Sequence, residues 1–332
     1  MSVYIIAEAG VNHNGKLDLA LKLCDAAKEA GVDAVKFQTW KTENIVTAQA
    51  RQAAYQTENT GVEESQFDML KKLELSYDHF RYIQDYCKKI GIDFLSTPDE
   101  EESLEFLVSL GLPFIKVGSG EVTNIPYLRK IASCGKPVIL STGMSTLAQV
   151  ATAYDTLLQA GAPTVSLLHC TTNYPCPYDE VNLRAMQTLK DAFKCQVGYS
   201  DHTMGTEIPV AAVAMGAEII EKHFTLDRTM EGPDHKASLE PAELKLMVEQ
   251  IRHIEVAMGD GIKRPNKSEA ENAKVVQKSI LAKRPIKMGE TLTEEMLTVK
   301  RAGAGISASL WDNVIGAYAI KDFDIDEPIV LW

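Results

Sequence analysis

The chain of 332 residues is 45% hydrophobic and 24% charged, a globular composition that excludes disordered, collagen-like and coiled-coil chains. Lys plus Arg number 34 against 46 for Asp plus Glu; the net charge of −12 speaks against nucleic acid or an anionic membrane as partner, yet leaves room for a small anion held by a few lysines focused in one cleft. Glu8 cuts the first apolar run too early for a signal peptide, and no later run nears the ~20 residues of a membrane helix. The six cysteines form no C-x-x-C pair, so a cytoplasmic protein with free thiols is expected.

Short β-branched or apolar runs recur at Val3–Ala7, Ala34–Phe37, Asp93–Leu95, Phe114–Val117, Pro137–Leu140, Thr164–Leu168, Gln196–Tyr199 and Glu218–Lys222. Between them lie helical stripes, such as Leu17, Ala20, Leu21, Cys24 and Ala27, or Leu147, Val150, Ala151, Tyr154, Leu157 and Leu158. The runs are continuous rather than alternating, so both sheet faces are expected to be covered and the strands parallel. Eight βα units by about residue 258 predict an α/β fold, a TIM (β/α)8 barrel over 1–258, with an open doubly wound sheet as the alternative. The stretch from Lys41 to about Ser76 is too long for a plain connection and holds an amphipathic piece around Glu64–Leu73, suited to covering the mouth or making an interface. Residues 259–277 read as a polar linker. Residues 278–332 read as a second domain of short β runs and glycine turns, which at ~55 residues has little core unless it docks on something.

Each run ends in small, polar or charged residues, and in a barrel those ends share the face on which active sites are built. Helix capping explains any one of them, but not lysines, histidines and glutamates emerging from eight ends together. His202 closes the seventh run and His223 lies at the end of the eighth; with neighbouring strands roughly 5 Å apart, both imidazoles can reach one divalent metal. Two histidines leave positions open for water and substrate, which suits an octahedral Mn²⁺-like Lewis acid better than structural zinc. His13 and His169 also sit at run ends, so spacing alone leaves the ligand pair open. Lys36 and Lys116, with Thr97, Ser119, Ser141 and Ser200 at neighbouring ends, form a candidate anion cradle. No G-x-x-x-x-G-K-[ST] and no G-x-G-x-x-G after a strand is present, which argues against a nucleoside triphosphate and against NAD. Glu8, Glu121, Glu221 and Asp234 supply carboxylates for proton transfer or for holding hydroxyl groups.

The motifs IAEAGVNHNG, AVKFQT, STP, KVGSGE, STGM, LHCTTNYPCPYDEVNL, YSDHTMG and EKHFTLDRTMEGPDHKASLEP, in this order, resemble the N-acetylneuraminate (sialic acid) synthase family, which includes legionaminate and pseudaminate synthases. KSILAKRPIKMGETLTEEMLTVKR is similar to that family's C-terminal antifreeze-like (SAF, β-clip type) domain. The resemblance implies condensation of phosphoenolpyruvate with an N-acylmannosamine, releasing phosphate and a nine-carbon 2-keto acid. N-acetylmannosamine is the expected sugar, and an N-acylated 6-deoxy sugar, as in N,N'-diacetyllegionaminate or pseudaminate synthesis, the alternative; a non-catalytic carbohydrate-binding protein is a second one. It further implies that Lys36, Thr97, Lys116, Ser119, Ser141 and Ser200 bind phosphoenolpyruvate, and that His202 and His223 hold the metal, Mn²⁺ with Mg²⁺ or Co²⁺ as alternatives. By the same resemblance Gln38, Tyr174, Glu221, Asp234 and Arg301 hold the sugar, and Glu8, Glu121 and Lys116 serve catalysis. Arg301 is expected from a partner subunit, in a domain-swapped homodimer. Two departures stand out: RAGAG carries Ala302 and Ala304 where the family often has Pro and Asn, and Thr172 occupies a place that holds Asn in some members.

Overall fold

The computed structural model describes residues 2–331 and divides into two compact units, 1–259 and 260–332. In the first, eight strands alternate with helices: β1 (Tyr4–Gly10), β2 (Ala34–Thr39), β3 (Asp93–Pro98), β4 (Ile115–Val117), β5 (Val138–Ser141), β6 (Val165–His169), β7 (Val197–Asp201) and β8 (Ile219–His223). All ladders are parallel, in the order β3-β2-β1-β8-β7-β6-β5-β4, and β3 and β4 lie together at the remaining seam. This is the ring order of a TIM-like barrel, not of an open doubly wound sheet. Each predicted run coincides with a strand, and most strands extend one to three residues further toward the polar end.

The helices of this unit are α1 (Leu17–Ala30), α2 (Thr42–Ile45), α3 (Ala54–Thr60), α4 (Gln66–Leu73), α5 (Tyr77–Ile90), α6 (Glu101–Ser109), α7 (Ile125–Ser133), α8 (Leu147–Gln159), α9 (Ala185–Phe193), α10 (Glu207–Ala214) and α11 (Pro241–Ala257). Local chemistry sets their ends: the Ser76 hydroxyl accepts from the His79 amide to start α5, and Gly91, left-handed at φ 73°, stops it. Along α8 the buried stripe is Val150, Ala153 and Leu157, whereas Leu147 and Leu158 from the expected stripe are exposed. The 41–76 excursion forms α2, α3 and α4; Met69 and Leu73 of α4 pack with Val11 and Trp40 beside the barrel mouth.

Strand alternation organises the interior in layers. Ile6, Ala34, Leu95, Ile139, Leu168 and Ile219 meet inside the ring as an apolar plug. Two residues further along the same strands stand Glu8, Lys36, Thr97, Ser141, Cys170 and Glu221, so a period of two lifts a polar layer directly onto the plug. Gly198 keeps the plug tight on β7, because a Cβ there would lie 2.3 Å from the Ile219 carbonyl and 2.7 Å from the Leu168 side chain. Residues facing outward, among them Ile5, Ala7, Val35, Phe37, Leu140, Leu167 and Ile220, join the helices in the main core.

In the second unit, the stretch read as a plain linker contains a helix, α12 (Lys267–Val276), started by an Asn266–Glu269 capping box and burying none of its side chains. Antiparallel β9 (Ser279–Ala282) and β10 (Leu297–Lys300) follow, with a short α13 (Trp311–Val314). Contrary to the expectation of little core, Ile280, Ile286, Leu292, Leu297, Val314, Phe323 and Ile329 form a buried cluster of their own. No described helix is long and apolar enough to cross a membrane.

Candidate active site

The polar layer opens into a cavity at the C-terminal ends of the strands, lined by side chains from all eight strands or the loops after them. Lys36 Nζ lies 2.7 Å from Glu8 Oε2 and 3.7 Å from Glu221 Oε2, and donates to Thr97 Oγ1 at 3.0 Å. Lys116 Nζ donates to Ser141 Oγ at 2.8 Å and stands 3.4 Å from Glu221 Oε1, which also accepts from Ser200 Oγ at 3.0 Å. Gln38 Nε2 donates to Glu8 Oε1 at 2.8 Å. Ser119 is held by the Gly143 amide, which donates to its Oγ at 2.9 Å; a Cβ on Gly143 would meet Thr172 Oγ1 at 2.2 Å, so only glycine lets these loops approach. Lys36, Thr97, Lys116, Ser119, Ser141 and Ser200 thus converge on one space, as their spacing implied.

The two glutamates in this network differ. Burial raises the Glu8 carboxyl above the ordinary range, with the Glu221 charge adding to the effect and Lys36 opposing it. Burial also opposes ionisation of Glu221, but the ammonium groups of Lys116 and Lys36 outweigh it and hold Glu221 down at about 2. Glu221 is therefore the fixed counter-charge of both lysines, and Glu8 the carboxyl poised to exchange a proton. Lys116 is pushed down by burial and by the like charge of Lys36, whereas the carboxylates around Lys36 overcome its burial and raise it.

On the β7–β8 side the cavity is lined by imidazoles. The His202 and His223 rings lie 5.3 Å apart between centroids, and the Tyr174 ring packs against both, at 4.2 and 5.5 Å. His202 Nδ1 sits 2.6 Å from the Thr171 carbonyl, so that nitrogen carries the proton and Nε2 keeps its lone pair. His223 Nδ1 is buried without a hydrogen-bond partner, 3.7 Å from Asp234 Oδ2. Burial holds both imidazoles below their ordinary values and hence neutral, the form that ligates a metal. Among the described residues no group of three or more His, Cys, Asp or Glu side chains is arranged to hold a metal ion. The residues present fit a divalent ion held by two nitrogens with its other positions open.

Several expected residues lie elsewhere. Glu121 stands off the cavity wall on a 3₁₀ turn after β4, its carboxylate taken by Asn124 Nδ2 at 2.7 Å, because the strand ends at Val117 and the loop turns away. Asp234 reaches the site only behind His223. Glu221 faces the lysines rather than open space. Arg301 belongs to the second unit. His13 and His169, open as ligands from spacing, are absent from the wall: His13 Nδ1 accepts from the Gly15 amide and His169 contacts the Val181 carbonyl. Conversely, Asp99, Cys170 and Thr172 line the cavity and were not singled out as site residues; Asp99, two residues beyond Thr97 and one past the end of β3, could have been found by extending the period. Its carboxyl is pushed up to about 7 by burial, with Lys36 opposing and Glu121 and Glu8 adding. Asn59 of α3 was also missed. Its Nδ2 donates to the Pro233 carbonyl at 2.7 Å and the Tyr174 carbonyl at 3.4 Å, tying the excursion to the loops after β6 and β8, a contact no local pattern announces.

The NeuB family matches residues 23–263 and the SAF domain matches residues 277–331. The chain is 53% identical to an N,N'-diacetyllegionaminic acid synthase of Campylobacter jejuni over 98% of both chains, and 46% identical to one of Legionella pneumophila, covering 96% of this chain and 90% of that one. Among solved structures it resembles the N-acetylneuraminic acid synthetase of Leptospira borgpetersenii in complex with citrate, with a TM-score of 0.73 and 37% identity, covering 82% of this chain and 91% of that chain. A barrel mouth bearing two buried lysines and two neutral histidines, followed by an SAF domain, therefore belongs to the NeuB family of phosphoenolpyruvate-dependent nonulosonic acid synthases.

Proposed function

We propose that the chain condenses phosphoenolpyruvate with the open-chain aldehyde of a di-N-acetylated 6-deoxy amino sugar, giving N,N'-diacetyllegionaminate and phosphate. The observation that carries this sugar ahead of N-acetylmannosamine, the sugar expected from sequence, is the 53% identity across 98% of both chains to the Campylobacter enzyme.

In this reading Lys36 and Lys116 take the carboxylate and phosphate of phosphoenolpyruvate as point charges, with Thr97, Ser119, Ser141 and Ser200 as hydroxyl donors. His202 and His223 hold a divalent ion, Mn²⁺ with Mg²⁺ or Co²⁺ as alternatives, which when bound supplies Lewis-acid polarisation of the aldehyde oxygen. C3 of phosphoenolpyruvate attacks the aldehyde carbon, forming the C–C bond, and the resulting alkoxide takes up a proton. Water adds to the cation left at C2, and Glu8 accepts its proton; a carboxyl raised above its ordinary range is a better base near neutrality. Loss of phosphate from C2 breaks the C–O bond and leaves the keto acid. Gln38 and Tyr174 border the space left for the sugar, with Asp234 behind His223. Glu121, off the wall, has no part in this scheme.

The proposal extends to a cytoplasmic location, in keeping with six free cysteines among the described residues. It also extends to a homodimer in which residues 278–332 of one chain cap the other's barrel, bringing Arg301 to the N-acyl group. Subunit exchange between Lys116→Met and Arg301→Ala variants tests the dimer: activity above that of either parent is expected, and exchange without recovery would remove Arg301 from the site. For the reaction, phosphate release is measured with phosphoenolpyruvate and a panel of amino sugars. A kcat/KM at least about tenfold higher for the diacetamido sugar than for N-acetylmannosamine is expected. The reverse preference would restore N-acetylneuraminate as the product, and no release with any of them would overturn the condensation itself.

A further inference from the structure

The outward faces of the strands are mostly apolar, since they pack on helices; a hydroxyl pair, Thr39 and Ser96, is buried on β2 and β3, and a pair of full charges on β7 and β8. Asp201 and Lys222 are both 0% exposed, and their side chains form an ion pair at 2.5 Å. The strand register pairs them directly, Asp201 with Lys222, next to Ser200 paired with Glu221. Alternation then places the residues on either side of each, Ser200 and His202, Glu221 and His223, on the opposite, inward face, where all four line the cavity. The back of the strand pair therefore carries one buried ion pair behind four site residues.

The hydrogen bonds extend that pairing to the turn beyond β7. Asp201 Oδ1 accepts from the Thr203 amide at 3.1 Å and from Thr203 Oγ1 at 2.9 Å, and Lys222 Nζ donates to the Thr203 carbonyl. His202 is thus the middle residue of a turn closed on both sides by the same two charges. Its carbonyl accepts from the Cys176 amide at 2.8 Å and its Nδ1 is held by the Thr171 carbonyl, so backbone and ring are both anchored while Nε2 keeps its lone pair. A buried pair stabilises little compared with an apolar pair of the same volume, because desolvation offsets the attraction. Its two ends have defined geometry, however, and specify a strand register and a turn as packed methyl groups do not.

We infer that Asp201 and Lys222 are positioning residues: their buried pair sets the separation of His202 and His223 and thereby the affinity of the site for its divalent ion. The inference rests on the metal role proposed above. The test uses the full-length chain and Mn²⁺ alone, with free Mn²⁺ followed by electron paramagnetic resonance. In the Asp201→Asn/Lys222→Met double variant no unpaired charge is left buried, and Asp201→Glu keeps the charge but displaces it by one methylene. With folding checked by circular dichroism, the double variant is expected to bind Mn²⁺ at least about 10-fold more weakly than wild type, and Asp201→Glu a few-fold more weakly. The KM for phosphoenolpyruvate should change less than the Mn²⁺ affinity, because both cradle lysines, with Thr97 and Ser141, stand on other strands and only Ser200 of the hydroxyl donors adjoins the pair. A purely structural pair would lower the melting temperature while the folded protein kept its Mn²⁺ affinity. An unchanged Kd in either folded variant, with wild type binding normally, would overturn the inference alone; absence of Mn²⁺ binding by wild type would overturn the metal role and the inference together.

Discussion

The two sides of the barrel mouth are built on different principles. On the β2–β5 side, two lysines emerge from within strands, one layer above an apolar plug, and are already paired: Lys36 with Glu8 of β1 and Glu221 of β8, Lys116 with Glu221 and Ser141. On the β7–β8 side the groups are neutral imidazoles and an aromatic ring at strand ends and in loops, held by Thr171, Asp201 and Asn59 from behind. Strand-borne charges suit a ligand that does not vary, and loop-borne neutral groups suit one that does, since loops tolerate substitution without disturbing the barrel. Under the proposed function both lysines that take the anion stand on the first side and both histidines that would hold the metal on the second, and the two should be separable by experiment.

The largest effect is expected on the imidazole side. His202→Ala or His223→Ala should lower kcat by about 10³-fold or more and abolish Mn²⁺ binding, because loss of a Lewis acid removes several kcal/mol of transition-state stabilisation. Full activity of either variant, measured as phosphate release, would break the assignment. Acid should also strike this side first. His13 and His235 lie buried in the loops after β1 and β8, His235 between Asn14 Oδ1 and Thr225 Oγ1, and burial lowers both imidazoles to about 4 from 6.5. Between those values the unfolded chain binds more protons than the folded one, so stability is full above about pH 6.5 and falls as pH drops toward 4, by roughly 3 kcal/mol for each imidazole. Denaturant titrations at pH 7 and 4.5 should show the loss in wild type and less of it in a His235→Gln variant.

A smaller change should isolate the anion side. Lys116→Met should raise the KM for phosphoenolpyruvate by about 100-fold, the worth of a charge-assisted contact, while the KM for the sugar moves by no more than about threefold. Equal shifts in both constants would erase the distinction.

The anion side was also the more legible in sequence. Lys36, Thr97, Lys116, Ser141 and Ser200 stand at the ends of apolar runs, and the two-residue period of a strand carries each to the same face, so strand order gathers them, while Ser119 joins them from the turn after β4. Glu121 lies four residues beyond the end of β4, where the strand period no longer governs direction, and its carboxylate turns to Asn124, off the cavity wall. Asn59 was missed for a similar reason: its partners, the Tyr174 and Pro233 carbonyls, are 115 and 174 residues away, and only tertiary packing of the 41–76 excursion brings them together. The core of the second unit was underestimated because many of its buried residues, such as Ile286, Leu292 and Phe323, come from irregular segments without a helix or strand period.

The smallest expected effect tests that loop contact. Asn59→Ala removes one hydrogen bond at 2.7 Å and a longer one at 3.4 Å, worth about 1 kcal/mol together. It should raise the KM for the sugar about fivefold and leave that for phosphoenolpyruvate unchanged. A change confined to phosphoenolpyruvate would place the excursion over the wrong side of the mouth.

The separation of the two sides is tested most directly by calorimetric titration of phosphoenolpyruvate into a His202→Ala/His223→Ala variant. The anion cradle draws none of its charges from the imidazoles, so the Kd should lie within about threefold of the wild-type value. Loss of phosphoenolpyruvate binding in this variant, with its fold intact, would contradict the account and make the lysines and histidines parts of a single site.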